Sequence, residues 1–180
     1  MRRAVRPALT VDVMVGSELW KGAGKLQAAV RRAVTRAAAI LSTRDAELAI
    51  VLTDDSTIRA LNRDWRGVDK ATNVLAFPTK NAAAGHLGDI VLAFETIARE
   101  AGSERKPLAH HLAHLAVHGF LHLVGYDHER PKEALAMERA ERKILCQLAI
   151  PDPYRPVRAP RRTGVKRANK PTAKRPQKSA

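Results

Sequence analysis

The chain has 180 residues, 45% of them hydrophobic, enough to bury one sizeable core and too few for two full domains. A single cysteine, Cys146, excludes an internal disulfide and a thiolate cage for zinc, and no apolar run approaches the roughly eighteen residues of a membrane span. The net charge of +14 is uneven: residues 151–180 hold ten Lys or Arg against Asp152 alone, Arg2, Arg3 and Arg6 add three, and residues 7–150 carry only +2, which excludes a generally polycationic core.

In chain order, Leu9-Thr-Val11-Asp-Val13-Met-Val15 alternates with period two and predicts a strand. Leu26, Ala29, Val30, Ala33, Val34, Ala37 and Leu41 recur at helical spacing and predict a helix. Glu47 to Leu52 reads as a second strand, and Thr53-Asp-Asp-Ser56 offers capping oxygens to a short helix through Ile58 and Leu61. Asn73 to Phe77, stopped by Pro78, and Leu87 to Ala93 predict two more strands, with Lys80 to His86 as a loop between them. Glu95 to Glu100 forms a helix ended by Gly102, and Pro107 opens a histidine-bearing helix. Glu133 to Leu148 forms a last helix whose packed face takes Leu135, Glu138, Ile144, Leu145 and Leu148, with Cys146 as a buried structural thiol.

The expected fold class is α+β, an α/β-like sandwich: a mixed sheet of about four strands covered by four to five helices. A helix between the first two strands makes that pair parallel. Leu108, Leu112, Leu115 and Leu121 turn the histidine helix onto the sheet and leave its histidine face beside a cleft. Residues 1–154 make a single domain. Residues 155–180, basic and rich in proline, have too little apolar surface to offset the entropy of ordering and are expected to be a disordered tail. Such a polybasic arm adds non-specific affinity for RNA phosphates, or else serves only as a solubilising extension. Met1-Arg-Arg-Ala-Val-Arg6 lacks the hydrophobic core of a signal peptide, so with the lone thiol a soluble, cytoplasmic protein with no membrane partner is expected.

The densest chemistry lies in His118-Gly-Phe-Leu-His122-Leu-Val-Gly125-Tyr-Asp-His128. Histidines four apart on a helix share a face, about 6 Å apart along the axis, and Gly125 sits where the chain turns back to bring in a third imidazole. His111 and His114 lie on the same helical face, but His114 and His122 are roughly 12 Å apart along a straight helix, too far to share an ion held at about 2.0–2.1 Å from each nitrogen. The metal set is therefore His118, His122 and His128, with His111 and His114 left as supporting, core or substrate-facing groups. The offsets match the metzincin signature HExxHxxGxxH, but Gly119 stands where that protease motif places its Glu base. The metal cradle is present without the peptidase base.

Four segments together resemble one family. Leu61-Asn-Arg-Asp-Trp65-Arg66-Gly-Val-Asp69-Lys70, Thr72-Asn-Val-Leu-Ala-Phe-Pro78, Leu87-Gly-Asp-Ile90 and the His118–His128 stretch resemble the YbeY family of bacterial metal-dependent endoribonucleases that mature ribosomal RNA, in order from about Leu61 to Tyr154. The resemblance implies one zinc ion on His118, His122 and His128, Arg66 in the cleft facing RNA phosphate, and single-stranded RNA, above all ribosomal RNA, as substrate. It also implies the ribosomal small subunit or assembly factors as partners, with small-subunit ribosomal RNA 3′-end maturation and ribosome quality control as the role. The family usually has Ser where this chain has Ala76, and Asp or Asn at Asn73; the basic tail lies outside its common core.

Three imidazoles leave zinc a fourth position for water, whose pKa falls to about 7. Imidazole also suits nickel and other borderline metals. Arg66 offers a planar fork for phosphate oxygens, or an ion pair with Asp69 or Asp89. Asp127 is the second expected catalytic residue: it orients a histidine by accepting its other N–H, or it acts on a proton. Trp65 stacks on a base or forms part of the core or cleft wall. Two other functions stay open at this stage, a non-enzymatic RNA-binding ribosome-assembly factor with a structural zinc, and a metal hydrolase of peptides or small molecules, which Gly119 and the basic tail disfavour.

Overall fold

The computed structural model describes residues 9–79 and 85–155. The basic N-terminal arginines, residues 80–84 of the expected loop and nearly all of the expected tail lie outside the described residues.

The alternation of apolar residues in Leu9–Val15 produces strand β1, whose Leu9 and Val11 are buried while Thr10 and Asp12 face out. Helix α1, Gly24–Leu41, returns the chain so that β2, Ala46–Thr53, lies parallel to β1 with Leu9 opposite Ala46 and Val15 opposite Leu52. Helix α2, Asp55–Arg66, then leads to β3, Val74–Pro78, and on to β4, His86–Ala93. β4 inserts beside β2 in parallel, and β3 pairs with it antiparallel, giving the order β1-β2-β4-β3. The mixed four-stranded sheet and the parallel first pair are as expected from the sequence. Pro78 ends β3 without breaking a ladder because β3 is an edge strand.

Three helices follow: α3, Phe94–Ser103; α4, Leu108–Leu123; and α5, Pro131–Gln147. Gly102 lies inside α3 rather than ending it, since Glu104 occupies the C-cap. The sheet has two unequal faces. Leu48, Ile50, Leu52, Ile90 and Leu92 point to the larger core with α1, α4 and α5, while Val91, Ala93 and Leu75 meet Ile58 of α2 in a smaller cluster on the other side. β4, covered on both faces, accordingly reads as a nearly continuous apolar run.

The last helix departs from its expected packing. Leu135 is 50% exposed and Cys146 is exposed, while Met137, Glu141, Ile144 and Leu145 are buried. The offsets 137, 141, 144 and 145 form the true i, i+4, i+7, i+8 stripe. A carboxylate inside that stripe is easily passed over, because a buried Glu requires partners that only another element can supply.

Candidate metal centre

Helix α4 is buried along most of its length and packs against β3 and β4. Gly119 makes this approach possible: a Cβ there would lie 2.9 Å from Cγ2 of the buried Ile90, inside van der Waals contact. The residue that removes the protease base is thus also the one that seats the helix on the sheet. His118 and His122 stand one turn apart, their ring centroids 4.8 Å from each other and their Nε2 atoms 3.2 Å apart.

The helix ends with the Gly125 N–H bonding the His122 carbonyl at 3.1 Å and the Tyr126 N–H bonding the Leu121 carbonyl at 2.9 Å. This is a Schellman closure, and Gly125 supplies its left-handed residue with φ +90°. Tyr126 packs back on the main core, and the chain reverses so that the His128 ring lies 5.4 Å from His118 and 5.0 Å from His122. Asp127 stabilises the reversal, its Oδ1 accepting the His128 backbone N–H at 2.7 Å.

One ring nitrogen from each of His118, His122 and His128 lies within 4.8 Å of the other two. Ligands at about 2.0–2.1 Å in a tetrahedral arrangement are about 3.3–3.4 Å apart, so the 3.2 Å pair already fits and His128, on its exposed turn, needs only a small adjustment. Burial, followed by repulsion from His118 and His128, lowers the pKa of His122 and favours the neutral imidazole that ligates metals.

The support behind His118 comes from α5, which the sequence reading did not include in the site. His118 Nδ1 is 2.9 Å from Oε1 of the fully buried Glu141. With an anionic acceptor there, Nδ1 carries the proton and the Nε2 lone pair faces the cluster. Burial pushes Glu141 up, but contacts with His114, His118 and Tyr154 outweigh it and hold the carboxyl at about 2. Tyr154 donates its hydroxyl to Glu141 Oε2, and burial and that bond raise its own pKa well above the usual phenol range. His114 Nε2 lies 3.5 Å from Glu141 Oε1, too far for a hydrogen bond, so His118 and Tyr154 are the stronger holds. A carboxylate behind a histidine ligand fixes its tautomer and raises its basicity, so these side chains fit a metal ion.

Of the other two histidines of the stripe, His111 has a hydrogen-bond partner outside the cluster. His111 Nε2 is 2.8 Å from Glu100 Oε2, which also accepts the Asn73 side-chain amide at 2.9 Å. The pair ties α3 and α4 to the start of β3.

A cavity of about 200 Å³ opens on the cluster, lined by His118, His122 and His128 together with Arg66, Thr72 and Asn73. Arg66 therefore shares the cavity of the three histidines although it lies 52 residues before His118. Its alternative partner Asp69 is engaged elsewhere, by Nε and Nη2 of Arg59 at 2.7 and 2.9 Å. Among the described residues Arg66 has no ion-pair partner. Asp127 does not line this cavity, and the place behind a ligand ring expected for it is occupied at His118 by Glu141. Ala76 lines the cavity and brings no hydroxyl. A larger cavity of about 380 Å³ adjoins along α4, sharing Asn73, Val74 and His118.

Sheet order and site together define a class: an α+β protein with three histidines that could hold a metal ion, two on a sheet-packed helix and one beyond the turn that ends it, flanked by an arginine from the opposite face. The family model for Endoribonuclease YbeY matches residues 18–149. A protein of that name from Nitrobacter hamburgensis is 52% identical over 163 residues, covering 84% of this chain and 86% of the relative. Another from Rhodopseudomonas palustris strain BisB18 is 51% identical, covering 86% of this chain and 96% of the relative. In fold, the chain is similar to the solution structure of TM1509 from Thermotoga maritima, with TM-score 0.50 and 21% identity, covering 78% of this chain and 92% of the other. The chain belongs to the YbeY endoribonuclease family.

Proposed function

We propose that the chain is a single-strand-specific endoribonuclease that hydrolyses RNA phosphodiesters at the His118, His122 and His128 centre with one zinc ion. The observation that carries this reading is the shared cavity, in which three imidazole nitrogens within 4.8 Å of one another face the same space as an arginine without an ion pair among the described residues. The names of the relatives support RNA as the substrate. We extend the reading to 3′-end maturation of small-subunit ribosomal RNA and ribosome quality control in the cytoplasm, with the small subunit or its assembly factors as partners.

When bound, zinc supplies a Lewis acid that brings the pKa of its water to about 7. The chain's own residues do the rest. His118 presents Nε2 because Glu141 holds the proton on Nδ1, and burial shifts His122 toward its neutral form. Arg66 takes phosphate oxygens with a planar, permanently charged fork and stabilises the negative charge that develops on them. Asp127 acts as a positioning residue, setting the turn that delivers His128.

The test is metal content and single-stranded RNA cleavage of the purified chain beside His122→Ala and Arg66→Ala. We expect metal to be lost only in the histidine variant and cleavage to fall by roughly 100-fold or more in both. Full cleavage by a metal-free His122→Ala chain would remove the centre from the mechanism. Accumulation of 3′-extended small-subunit ribosomal RNA in cells depleted of the chain would test its biological role.

A further inference from the structure

Trp65 is 72% exposed, the most exposed large hydrophobic side chain among the described residues. The chain has only two tryptophans, and the other, Trp20, is fully buried with its indole N–H donated to the Thr53 carbonyl at 2.8 Å. A tryptophan left in water forgoes the burial of some 150–250 Å². Single exposed apolar residues are ordinary on protein surfaces, so exposure alone assigns nothing.

Its surroundings carry the inference. Trp65 occupies the last turn of α2 immediately before Arg66, which lines the imidazole cavity. Its ring is held edge-on by Phe77 of the edge strand β3, with centroids 5.9 Å apart and an interplanar angle of 67°, and Phe77 belongs to the smaller cluster, across that strand from the cavity-lining Ala76. Nearby charge is sorted too. Arg59 and Arg63 are paired with Asp69 and Asp64, whereas Arg66 and Lys70 have no ion-pair partner among the described residues. An oriented, solvent-facing indole thus directly precedes, on the last turn of α2, the arginine that lines the candidate centre and has no ion-pair partner among the described residues.

We propose that Trp65 is a base-stacking platform for the nucleotide next to the one whose phosphate meets Arg66. The inference rests on the RNA-cleavage reading. Every base has a π-face, so such a platform tolerates any sequence. In a duplex both faces of a base are already stacked, so the platform favours single strands and gives the expected strand preference a physical source.

The experiment has two arms. In the first, a single-stranded RNA oligonucleotide is added to chelator-treated protein and tryptophan emission is followed. Because Trp20 is buried, quenching by the oligonucleotide reads Trp65, and it should be absent in Trp65→Phe. In the second, an oligonucleotide carrying one abasic nucleotide, scanned along the strand, is cleaved by wild type, Trp65→Phe and Trp65→Leu. Removing a base leaves every phosphate in place, so binding by the basic segments is unchanged. One position next to the scissile bond should lower wild-type kcat/KM roughly tenfold, mostly through KM. Trp65→Leu should show that loss on intact RNA and no further loss from the abasic site, while Trp65→Phe retains most of the activity.

Absence of quenching, or an abasic effect undiminished in Trp65→Leu, would overturn the platform even if cleavage still depends on His122. Quenching together with cleavage that survives His122→Ala would sink the metal reading and leave the platform standing.

Discussion

Glu141 shows how one side chain sets the quality of a site it does not enter. It is fully buried on α5, is held in its anionic form at about 2, and grips the proton-bearing nitrogen of His118. Replacing it by Gln keeps the shape but lets the amide present its NH2 as readily as its oxygen, so the His118 tautomer is no longer imposed. Glu141→Gln should therefore weaken metal affinity by roughly 10- to 100-fold while the chain stays folded. A competition titration against a chromophoric chelator, with circular dichroism as the folding control, measures this; unchanged affinity would reduce Glu141 to a packing residue.

At the scale of elements, α2 positions both Arg66 and Trp65, so its stability bears on the site. Its N-cap is Asp54, whose Oδ1 accepts the Thr57 backbone N–H at 2.9 Å and the Ser56 hydroxyl at 2.8 Å. The bond from Thr57, then that from Ser56, lowers the carboxyl from 3.8 to about 2. A folded-state pKa below the unfolded one gives stabilisation that is complete above the unfolded value and is lost as pH falls through the folded one. Asp54→Ala should cost ~1 kcal/mol near neutrality. The gap from wild type should start to close below about pH 4 and all but vanish as pH falls through about 2. Urea unfolding of both proteins across that range is the measurement, and a gap independent of pH would show that the carboxylate charge is not what caps the helix.

For the molecule as a whole, charge is divided between a nearly balanced core and basic ends. Residues 156–180 carry nine Lys or Arg and no acidic residue, and no helix among the described residues is long and apolar enough to cross a membrane. If those cations meet RNA phosphates, the logarithm of the binding constant falls with log salt at about 0.7 per contact on a single strand. Ending the chain after Arg155 should flatten that slope by several contacts, up to roughly 6 in slope, and leave cleavage of bound RNA unchanged. Removing Arg66 alone should flatten it by about 0.7 and depress turnover. Anisotropy titrations of a labelled oligonucleotide at several salt concentrations distinguish the two.

Local signals were enough to determine the strand and helix order, the parallel first pair, the capping of α2 and the turn at Gly125. Each rests on periodicity or backbone chemistry within a few residues, which a linear text records. The clustering of the three histidines was legible for the same reason, since helical spacing and one glycine bring them together. Arg66 needed a family resemblance to join them, because the β3–β4 pairing and the seating of Gly119 on Ile90 are what carry α2 to the cavity. Glu141 behind His118, the indole of Trp65 in solvent and the exposure of Cys146 were decided only in three dimensions. Burial and pairing depend on which faces meet across distant elements, and residue spacing within one element does not encode that.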